Sequence, residues 1–405
     1  MLAIRAPRLF DGERFGSGGA TVLTQAGRIL AVEAGFPEVG PPWQVIEFDD
    51  ATVLPGLIDT HVHLAADSGV DALDRIAGFT DDEMDAVITD GLRRHLVNGV
   101  TTVRDLGDRR FGVLERRDRQ RAGAAIEPEP TILAAGPPLT SPGGHCAYMG
   151  GEVRGVPAMA DAVRQRIARR ADAVKIMASG GMTTVGTDVL RPQFSLEELT
   201  AATDLAHSAG IPVSMHAHAL AAVELALDVG ADCIEHCSCL TEKGQLLTDE
   251  LLDRLAAGGV FIGAALAMPP ASFVRESAPP NVRIMMEQTG MTPEMIVERR
   301  IASMRRMHRA GVRLVTGSDA GIAPFIAHGL VRGSAETMVE FGASTAEALA
   351  ASTSVAAQAC AVGDRKGHLR KGFDADIIVV AGDLRSEIGA LGKVRAVVLG
   401  GVLVR

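Results

Sequence analysis

The chain has 405 residues and a formal net charge of −10 at pH 7, and it is 47% hydrophobic and 22% charged. This balance predicts a folded protein, because disordered chains carry too few apolar residues to bury. The acidic charge and the lack of basic runs with interleaved aromatics exclude nucleic acid as an expected partner.

The sequence also points away from membranes and secretion. Residues 1–8 lack the apolar core of a signal peptide, and no stretch approaches the roughly 20 apolar residues of a membrane span. The five cysteines are an odd number in a long chain, which favours reduced thiols over a disulfide framework. We expect a cytoplasmic protein.

The two ends of the chain are short strand-like runs broken by Gly, Asp and Pro. They predict a composite β-sandwich domain of residues 1–55 and 363–405, with two separate β appendages as the alternative. Between them, eight apolar, β-branched runs alternate with helical segments, which predicts an α/β fold with a (β/α)8 TIM barrel over residues 56–362. The runs are residues 53–64, 100–105, 131–135, 173–178, 211–218, 232–237, 260–266 and 313–319.

Amphipathic spacing predicts outer helices over residues 81–98, 195–209 and 219–229. Ser195 and Glu198 have the spacing of a capping box at the start of one of them. The longest connections without a helical pattern are residues 136–158 and 267–291, and we expect them to be binding loops.

Metal-ligand side chains concentrate where the apolar runs end. The first run ends in His61 and His63 and the fifth in His216 and His218, and each pair lies on one face because strand side chains alternate. Two further runs contribute His236 and Asp319. A single such histidine is more often structural, but imidazole and carboxylate groups at four strand ends of one barrel mouth predict a metal site.

Lys175 lies in the fourth run, among apolar neighbours. A buried ammonium is costly unless it is paired or chemically altered, and a neighbouring metal ion would make it more so. The position therefore predicts either an ion pair with a barrel carboxylate or a modified lysine.

Several segments resemble motifs of the amidohydrolase superfamily, and the resemblance spans nearly the whole chain. These segments are residues 53–63 (VLPGLIDTHVH), 174–176 (VKI), the strand of His216, residues 234–236 (IEH), 316–321 (TGSDAG) and 371–380 (KGFDADIIVV). The chain is most similar to the imidazolonepropionase-related and Xaa-Pro dipeptidase group. The last segment resembles the family's return into a small β-domain, which favours pairing of the two termini.

The resemblance implies a binuclear centre with two divalent cations, of which Zn²⁺ is expected first and Mn²⁺, Fe²⁺ or Co²⁺ are alternatives. In this group a lysine of the fourth strand is carboxylated by CO2 and bridges both ions. The implied ligands are His61, His63 and Asp319 for one ion, His216 and His236 for the other, and N6-carboxylated Lys175 as the bridge.

The implied mechanism is attack by hydroxide, since two cations lower the pKa of a bridging water and one polarises the scissile carbonyl. Asp319 would be the catalytic base that passes the proton to the leaving amine. His145, in a glycine-rich loop, and His218, where some relatives have tyrosine, are implied substrate contacts. A solvated turn is nearly as compatible with His145.

These features predict a metal-dependent hydrolase that cleaves a C–N bond in a small amide-like molecule, such as a dipeptide, an N-acyl amino acid, a carbamate or a urea. A mononuclear deaminase or a cyclic amide or lactone hydrolase on the same barrel is the alternative, and Lys175 counts against the deaminase. The presence of all six ligand residues argues against a non-catalytic scaffold. We expect a homo-oligomer. Arg275 and Arg283 suggest an anionic group on the substrate.

Cysteines near His236 raise one further possibility, a Cys/His zinc site. Cys233, Cys237 and Cys239 lie along one strand and its exit, without a second cysteine pair elsewhere. This spacing fits small buried hydrophobic residues better than zinc ligands.

Overall fold

The computed structural model describes residues 1–125, 127–265 and 278–405, with only the backbone of residues 288 and 289. The fold is α/β. The described strands are β1 (Leu2–Ala6), β2 (Arg8–Leu9), β3 (Ala20–Gln25), β4 (Arg28–Ala34), β5 (Gln44–Glu47), β6 (Ala51–Pro55), β7 (Leu57–Val62), β8 (Val100–Asp105), β9 (Thr131–Ala134), β10 (Val174–Met177), β11 (Val213–His216), β12 (Cys233–Glu235), β13 (Leu240–Thr241), β14 (Gly244–Gln245), β15 (Phe261–Gly263), β16 (Arg313–Val315), β17 (Ile377–Ala381), β18 (Val394–Leu399) and β19 (Val402–Leu403).

The described α-helices are α1 (Ala72–Arg75), α2 (Asp81–Val97), α3 (Gly112–Arg121), α4 (Val156–Ala168), α5 (Leu196–Ser208), α6 (Leu220–Asp228), α7 (Asp249–Ala257), α8 (Pro280–Thr289), α9 (Pro293–Arg309), α10 (Arg332–Glu340), α11 (Thr345–Ala351) and α12 (Ser354–Ala359). None of the helices in the described part of the chain is long and apolar enough to cross a membrane.

Strands from the two ends of the chain pair with one another. One sheet has the order β4-β3-β1-β5, and the other has the order β19-β18-β17-β6-β2. The antiparallel pair of β6 and β17 joins residues 51–55 to residues 377–381. Buried side chains of both sheets, including Ile4, Val22 and Val379, share one apolar cluster. Two sheets built from the two ends of the chain therefore share one apolar core.

The middle of the chain alternates helices with parallel strands. These strands form two sheets, with the orders β7-β8-β9 and β10-β11-β12-β15-β16. Single parallel bridges join Val62 to Ala320 and Leu139 to Ile176, which links the two sheets at both of their edges. Because the pairings are parallel, the carboxyl ends of these strands lie on one side of the molecule.

Local sequence signals explain where α5 begins and ends. The expected capping box is present at α5, where the Ser195 side chain accepts from the Glu198 N–H and the Glu198 side chain accepts from the Ser195 N–H. Gly210 follows this helix with a φ of 70°, a left-handed conformation that favours glycine.

The expected single run over residues 53–64 is two strands in the structure. β6 pairs with β17 of the terminal sheet, whereas β7 pairs with β8 of the parallel sheet. Gly56 separates them, and a Cβ at this position would lie 2.0 Å from the Oγ1 atom of Thr101. The apolar pattern continues through the junction because both strands are fully buried.

The expectation of a helix-poor connection over residues 267–291 is wrong for its second half, where α8 begins at Pro280. Proline is well accommodated in the first turn of a helix, since no hydrogen bond is needed from its nitrogen there. Residues 266–277, which include Arg275, lie outside the described part of the chain.

Candidate metal centre

The first group of potential ligands combines His61 and His63 from the end of β7 with Asp319, which follows β16. The Oδ1 atom of Asp319 lies 3.4 Å from Nε2 of His61 and 3.3 Å from Nε2 of His63. Asp319 has a φ of 59°, which is uncommon for a residue with a side chain. This backbone conformation is held by hydrogen bonds from the Asp319 N–H to the His61 carbonyl and from the His63 N–H to the Ala320 carbonyl.

The second group contains His216 at the end of β11, His218 two residues later, and His236 directly after β12. Their ring centres are 4.6 to 4.8 Å apart. One nitrogen of each ring lies within 4.8 Å of the others, as a shared metal ion would require. His218 therefore belongs geometrically to this group, whereas the sequence analysis assigned it only to substrate.

Lys175 lies on β10 and is 1% exposed. Its Nζ atom has no hydrogen-bond partner among the described residues, and no described carboxylate forms an ion pair with it. Burial, the largest effect, lowers the pKa of this amine. The Lys175 charge in turn lowers the pKa of His61 and of His216, in each case in addition to burial. The Lys175 charge thus lowers the pKa of one histidine in each of the two groups of potential ligands.

Glu235 is the main residue that the sequence analysis missed. It is fully buried, and its Oε2 atom lies 2.9 Å from Nδ1 of His61, opposite the side that faces Asp319. The other oxygen accepts from Ser214 at 2.8 Å and from the Arg104 guanidinium at 3.1 Å. Burial raises the pKa of Glu235, but the charge and the hydrogen bond of His61 outweigh it, so the net pKa is lowered. Glu235 thereby fixes the ring of His61 and leaves Nε2 for a metal ion.

The charges around Asp319 favour its ionised form. Burial raises the pKa of this carboxyl, but the charge of His61 and the hydrogen bond and charge of His63 hold the pKa well below its usual range. The pKa of His63 is raised, because its hydrogen bond and charge interaction with Asp319 outweigh burial. An ionised carboxylate is the form that binds a metal ion.

His145 lies beside the second group, with its ring centre 4.6 Å from that of His216. Its Nδ1 atom is 2.8 Å from Oγ1 of Thr184, and burial, followed by the Lys175 charge, lowers its pKa to about 3. A Cβ at Gly181 would come within 2.3 Å of the His145 ring. His145 is therefore a neutral, closely packed side chain and not the solvated turn that was the alternative.

A cavity of about 960 Å³ opens onto these residues. His145 and His218 line it, together with both groups of potential ligands and Lys175. Asn281 and Val282 of α8 contribute another part of the wall, so parts of both predicted binding loops reach the cavity. Arg283 is exposed and does not line it.

The interpretation of the cysteines also has a clear outcome. The described cysteines are free and buried, and none of them belongs to a group of potential metal ligands in the described part of the chain. This confirms the prediction that the cysteines are small buried residues. Cys237 and Cys239 approach each other, with their Sγ atoms 4.0 Å apart.

A model of the amidohydrolase family matches residues 52–404. The chain belongs to the amidohydrolase family. Its predicted resemblance to this family is confirmed, and it is a hydrolase that acts on carbon–nitrogen bonds.

Several amidohydrolase-family relatives are similar along most of the chain. Ochratoxinase of Aspergillus niger is 26% identical over 376 residues, covering 85% of this chain and 73% of the relative. Imidazolonepropionase of Mesorhizobium japonicum is 24% identical over 392 residues, covering 88% of this chain and 85% of the relative. The solved structure of a Xaa-Pro dipeptidase with bound methionine is 26% identical, with a TM-score of 0.84 and 99% of each chain covered.

The residues present fit the metal ions that this family generally uses. Imidazole nitrogens and a carboxylate oxygen are typical ligands of Zn²⁺ and similar ions. The two groups are buried, and a neutralising partner for Lys175 is missing among the described side chains. Candidate metal ligands are thus placed at one end of the parallel strands.

Proposed function

We propose that the protein is a binuclear metal-dependent hydrolase on a closed (β/α)8 barrel. The observation that carries this proposal is the pair of ligand groups flanking the buried, unpartnered Nζ atom of Lys175. The two bridges that link the parallel sheets support closure of the barrel. The pairing of β6 with β17 supports a separate β-sandwich domain formed by residues 1–55 and 363–405, outside the barrel of residues 56–362.

The proposed ligands follow from the two groups. His61, His63 and Asp319 would hold one ion, and His216 and His236 would hold the other. Lys175, carboxylated on Nζ, would be a ligand shared by both ions, because an anionic carbamate removes the cost of a buried ammonium beside two cations. Zn²⁺ is the proposed metal, with Mn²⁺, Fe²⁺ or Co²⁺ as alternatives. His218 belongs to the second group by its position and also faces the cavity.

When bound, the ions would lower the pKa of a coordinated water and polarise the scissile carbonyl. Asp319 takes the proton of the attacking water and delivers it to the leaving nitrogen, which its position at the cavity and beside His63 allows. His145 and His218 contact the substrate as hydrogen-bonding groups. The proposed substrates are dipeptides, N-acyl amino acids, carbamates and ureas.

The first experiment counts metal ions per chain after loading with Zn²⁺ and bicarbonate. We expect two ions for the wild type and a loss of the second ion in Lys175→Met. His145→Ala is the matched control, because it lines the same cavity outside both ligand groups and should keep two ions. Loaded protein is then assayed with dipeptides, N-acyl amino acids, carbamates, ureas and lactones.

The number of ions separates the proposed function from its competitors. One ion per chain in the wild type would favour the mononuclear deaminase, and none would contradict a metal-dependent enzyme. Two ions with hydrolysis of lactones alone would retain the metal centre and refute the preference for carbon–nitrogen bonds.

A further inference from the structure

The two sides of the cavity differ in polarity. The side that faces the ligand groups is polar, whereas the wall formed by Met182, α8, α9 and residues 322–326 is largely apolar. Met182, Met285, Met295, Met304, Phe325 and Ile326 all contribute to this apolar wall. Methionine side chains adapt to irregular apolar shapes, so this wall suits a bulky hydrocarbon group.

Two arginines of α9, Arg299 and Arg300, line the cavity beside the apolar wall. The Nη2 atom of Arg300 donates hydrogen bonds to the carbonyl oxygens of Ala264 and Ala265, which directly follow β15. These bonds hold the guanidinium at the carboxyl end of a parallel strand. No carboxylate within residues 1–125, 127–265 or 278–405 forms an ion pair with Arg300.

Arg300 lines the same cavity as His218 and His236 but belongs to neither group of potential ligands. Burial lowers the pKa of His218 to about 3, and the positive charge of Arg300 is the next largest cause. The same charge contributes to the lowered pKa of His236, after burial and the neighbouring histidines. The Asp319 carboxylate in turn acts on Arg300, whose pKa is nevertheless lowered because burial dominates.

Among the side chains that the structure describes, no carboxylate is in ion-pair contact with the Arg300 guanidinium. A partly desolvated positive charge is costly, and two backbone carbonyls use only part of its donors. The planar, forked arrangement of the remaining N–H groups matches a carboxylate. The neighbouring Arg299 differs, because it is exposed and its guanidinium contacts the sulfur of Met291.

We propose that Arg300 binds a carboxylate of the substrate, so that the preferred substrates are N-acyl amino acids or dipeptides with a bulky apolar substituent on the methionine-rich wall. This inference rests on the proposed hydrolase function and narrows its substrate class. It selects carboxylate-bearing amides over neutral carbamates and ureas. Arg300 takes the role that the sequence analysis suggested for Arg275 and Arg283.

The test compares N-acyl amino acids and dipeptides with their terminal carboxamides, using the metal-loaded enzyme. For the wild type we expect the free acids to be preferred by about 100-fold in kcat/KM, the effect of a charge-assisted contact. Arg300→Met should abolish this preference mainly through KM, and Arg300→Lys should restore part of it. Arg299→Met is the matched control and should keep the full preference.

Metal content and thermal unfolding are measured for each variant, so that a folding defect is recognised. Equal turnover of acids and carboxamides by the wild type would overturn the role of Arg300 and leave the hydrolase function intact. An unchanged preference in folded Arg300→Met would overturn it as well. Failure of the loaded wild type to cleave any amide would instead refute the proposed function, and this inference with it.

Discussion

At the residue scale, the candidate centre depends on side chains behind the ligands as much as on the ligands. The ring of His61 is held between Asp319 on one side and Glu235 on the other. Glu235 is in turn held by Ser214 and Arg104. His63 is oriented in a similar way, since its Nδ1 atom lies 3.1 Å from the Gly107 carbonyl.

The substitution Glu235→Gln tests whether Glu235 holds the His61 ring in place for metal binding. The amide keeps the shape of the side chain but removes the negative charge that faces both His61 and the buried Arg104. We expect metal affinity to fall about 10- to 100-fold, as for other residues that orient metal ligands. We also expect the free energy of unfolding to fall by about 3 kcal/mol, because Arg104 loses its buried counter-charge.

Metal titration and urea unfolding measure the two effects. Glu242→Gln is a suitable control, since this glutamate is exposed at the cavity rim and pairs only with Arg191 among the described residues. Wild-type metal affinity in Glu235→Gln would show that His61 needs no such support.

Asp319→Asn tests the proposed base. The amide can still bind a metal ion through its oxygen but cannot accept a proton, so we expect most of the metal to remain and kcat to fall by about 100-fold or more. Steady-state kinetics with parallel metal analysis distinguish the two effects. Near-normal turnover in the metal-loaded variant would exclude Asp319 as the base.

The sequence identified most members of the two groups of potential ligands but not the residues that support them, for a physical reason. The spacing of His61 and His63 on one strand is visible in the chain because alternation is local. Glu235 and Arg104 meet only when β8 and β12 face the same interior, and no local pattern encodes that contact. Arg300 is similar, since its position depends on how α9 packs beside the end of β15.

At the element scale, helix ends show how local signals act. The capping box at Ser195 was predicted from two residues, because both partners lie within one turn. The start of α3 was not predictable in this way. Its N-cap, Phe111, has no polar side chain, and the Oδ2 atom of Asp108 instead accepts from Val113 at 2.8 Å and from Leu114 at 3.3 Å.

We also expect Asp108 to make the free energy of unfolding depend on pH. Burial, followed by the charge of Asp105, raises its pKa from 3.8 to about 7. Between these values the folded chain holds a proton that the unfolded chain has released, so this group's contribution to the free energy of unfolding falls as the pH rises from about 4 to about 7.

Asp108→Asn should remove this effect, because the amide oxygen still accepts from α3 but carries no titrating proton. Relative to the variant, the wild type should lose stability with rising pH, with a slope of at most about 1.4 kcal/mol per pH unit. Urea unfolding of both proteins at several pH values measures this difference. Parallel pH curves would contradict a raised pKa.

At the scale of the whole molecule, the two ligand groups tie distant parts of the chain together. Their members come from the ends of β7, β11, β12 and β16. A ligand that binds only the folded chain stabilises it by mass action. Metal binding is therefore expected to stabilise the entire fold.

Removal of metal with a chelator should lower the Tm by several degrees, and added Zn²⁺ should restore it. Differential scanning calorimetry of loaded and chelated protein measures the shift. His145→Ala should respond like the wild type, whereas His216→Ala should respond less, because one of the proposed ligands is missing. A Tm independent of metal would argue against ions bound at these groups.

The alternation of apolar runs and helices predicts successive parallel strands, but the apolar pattern alone does not divide the run of residues 53–64 into two strands at Gly56. Both β6 and β7 are fully buried, so the apolar pattern is continuous although the strands belong to different sheets. The junction depends on close packing of Gly56 against Thr101, which are neighbours only in the folded chain.

The bridge between Val62 and Ala320 has a consequence for biosynthesis. It brings together segments that leave the ribosome far apart in time, since His61 and Asp319 are separated by 258 positions in the sequence. At roughly 5 to 20 residues per second, about 13 to 50 s pass between their syntheses. The nascent chain therefore carries incomplete groups of potential ligands for most of its elongation, and the group of His61, His63 and Asp319 is complete only after the last parallel strand has emerged.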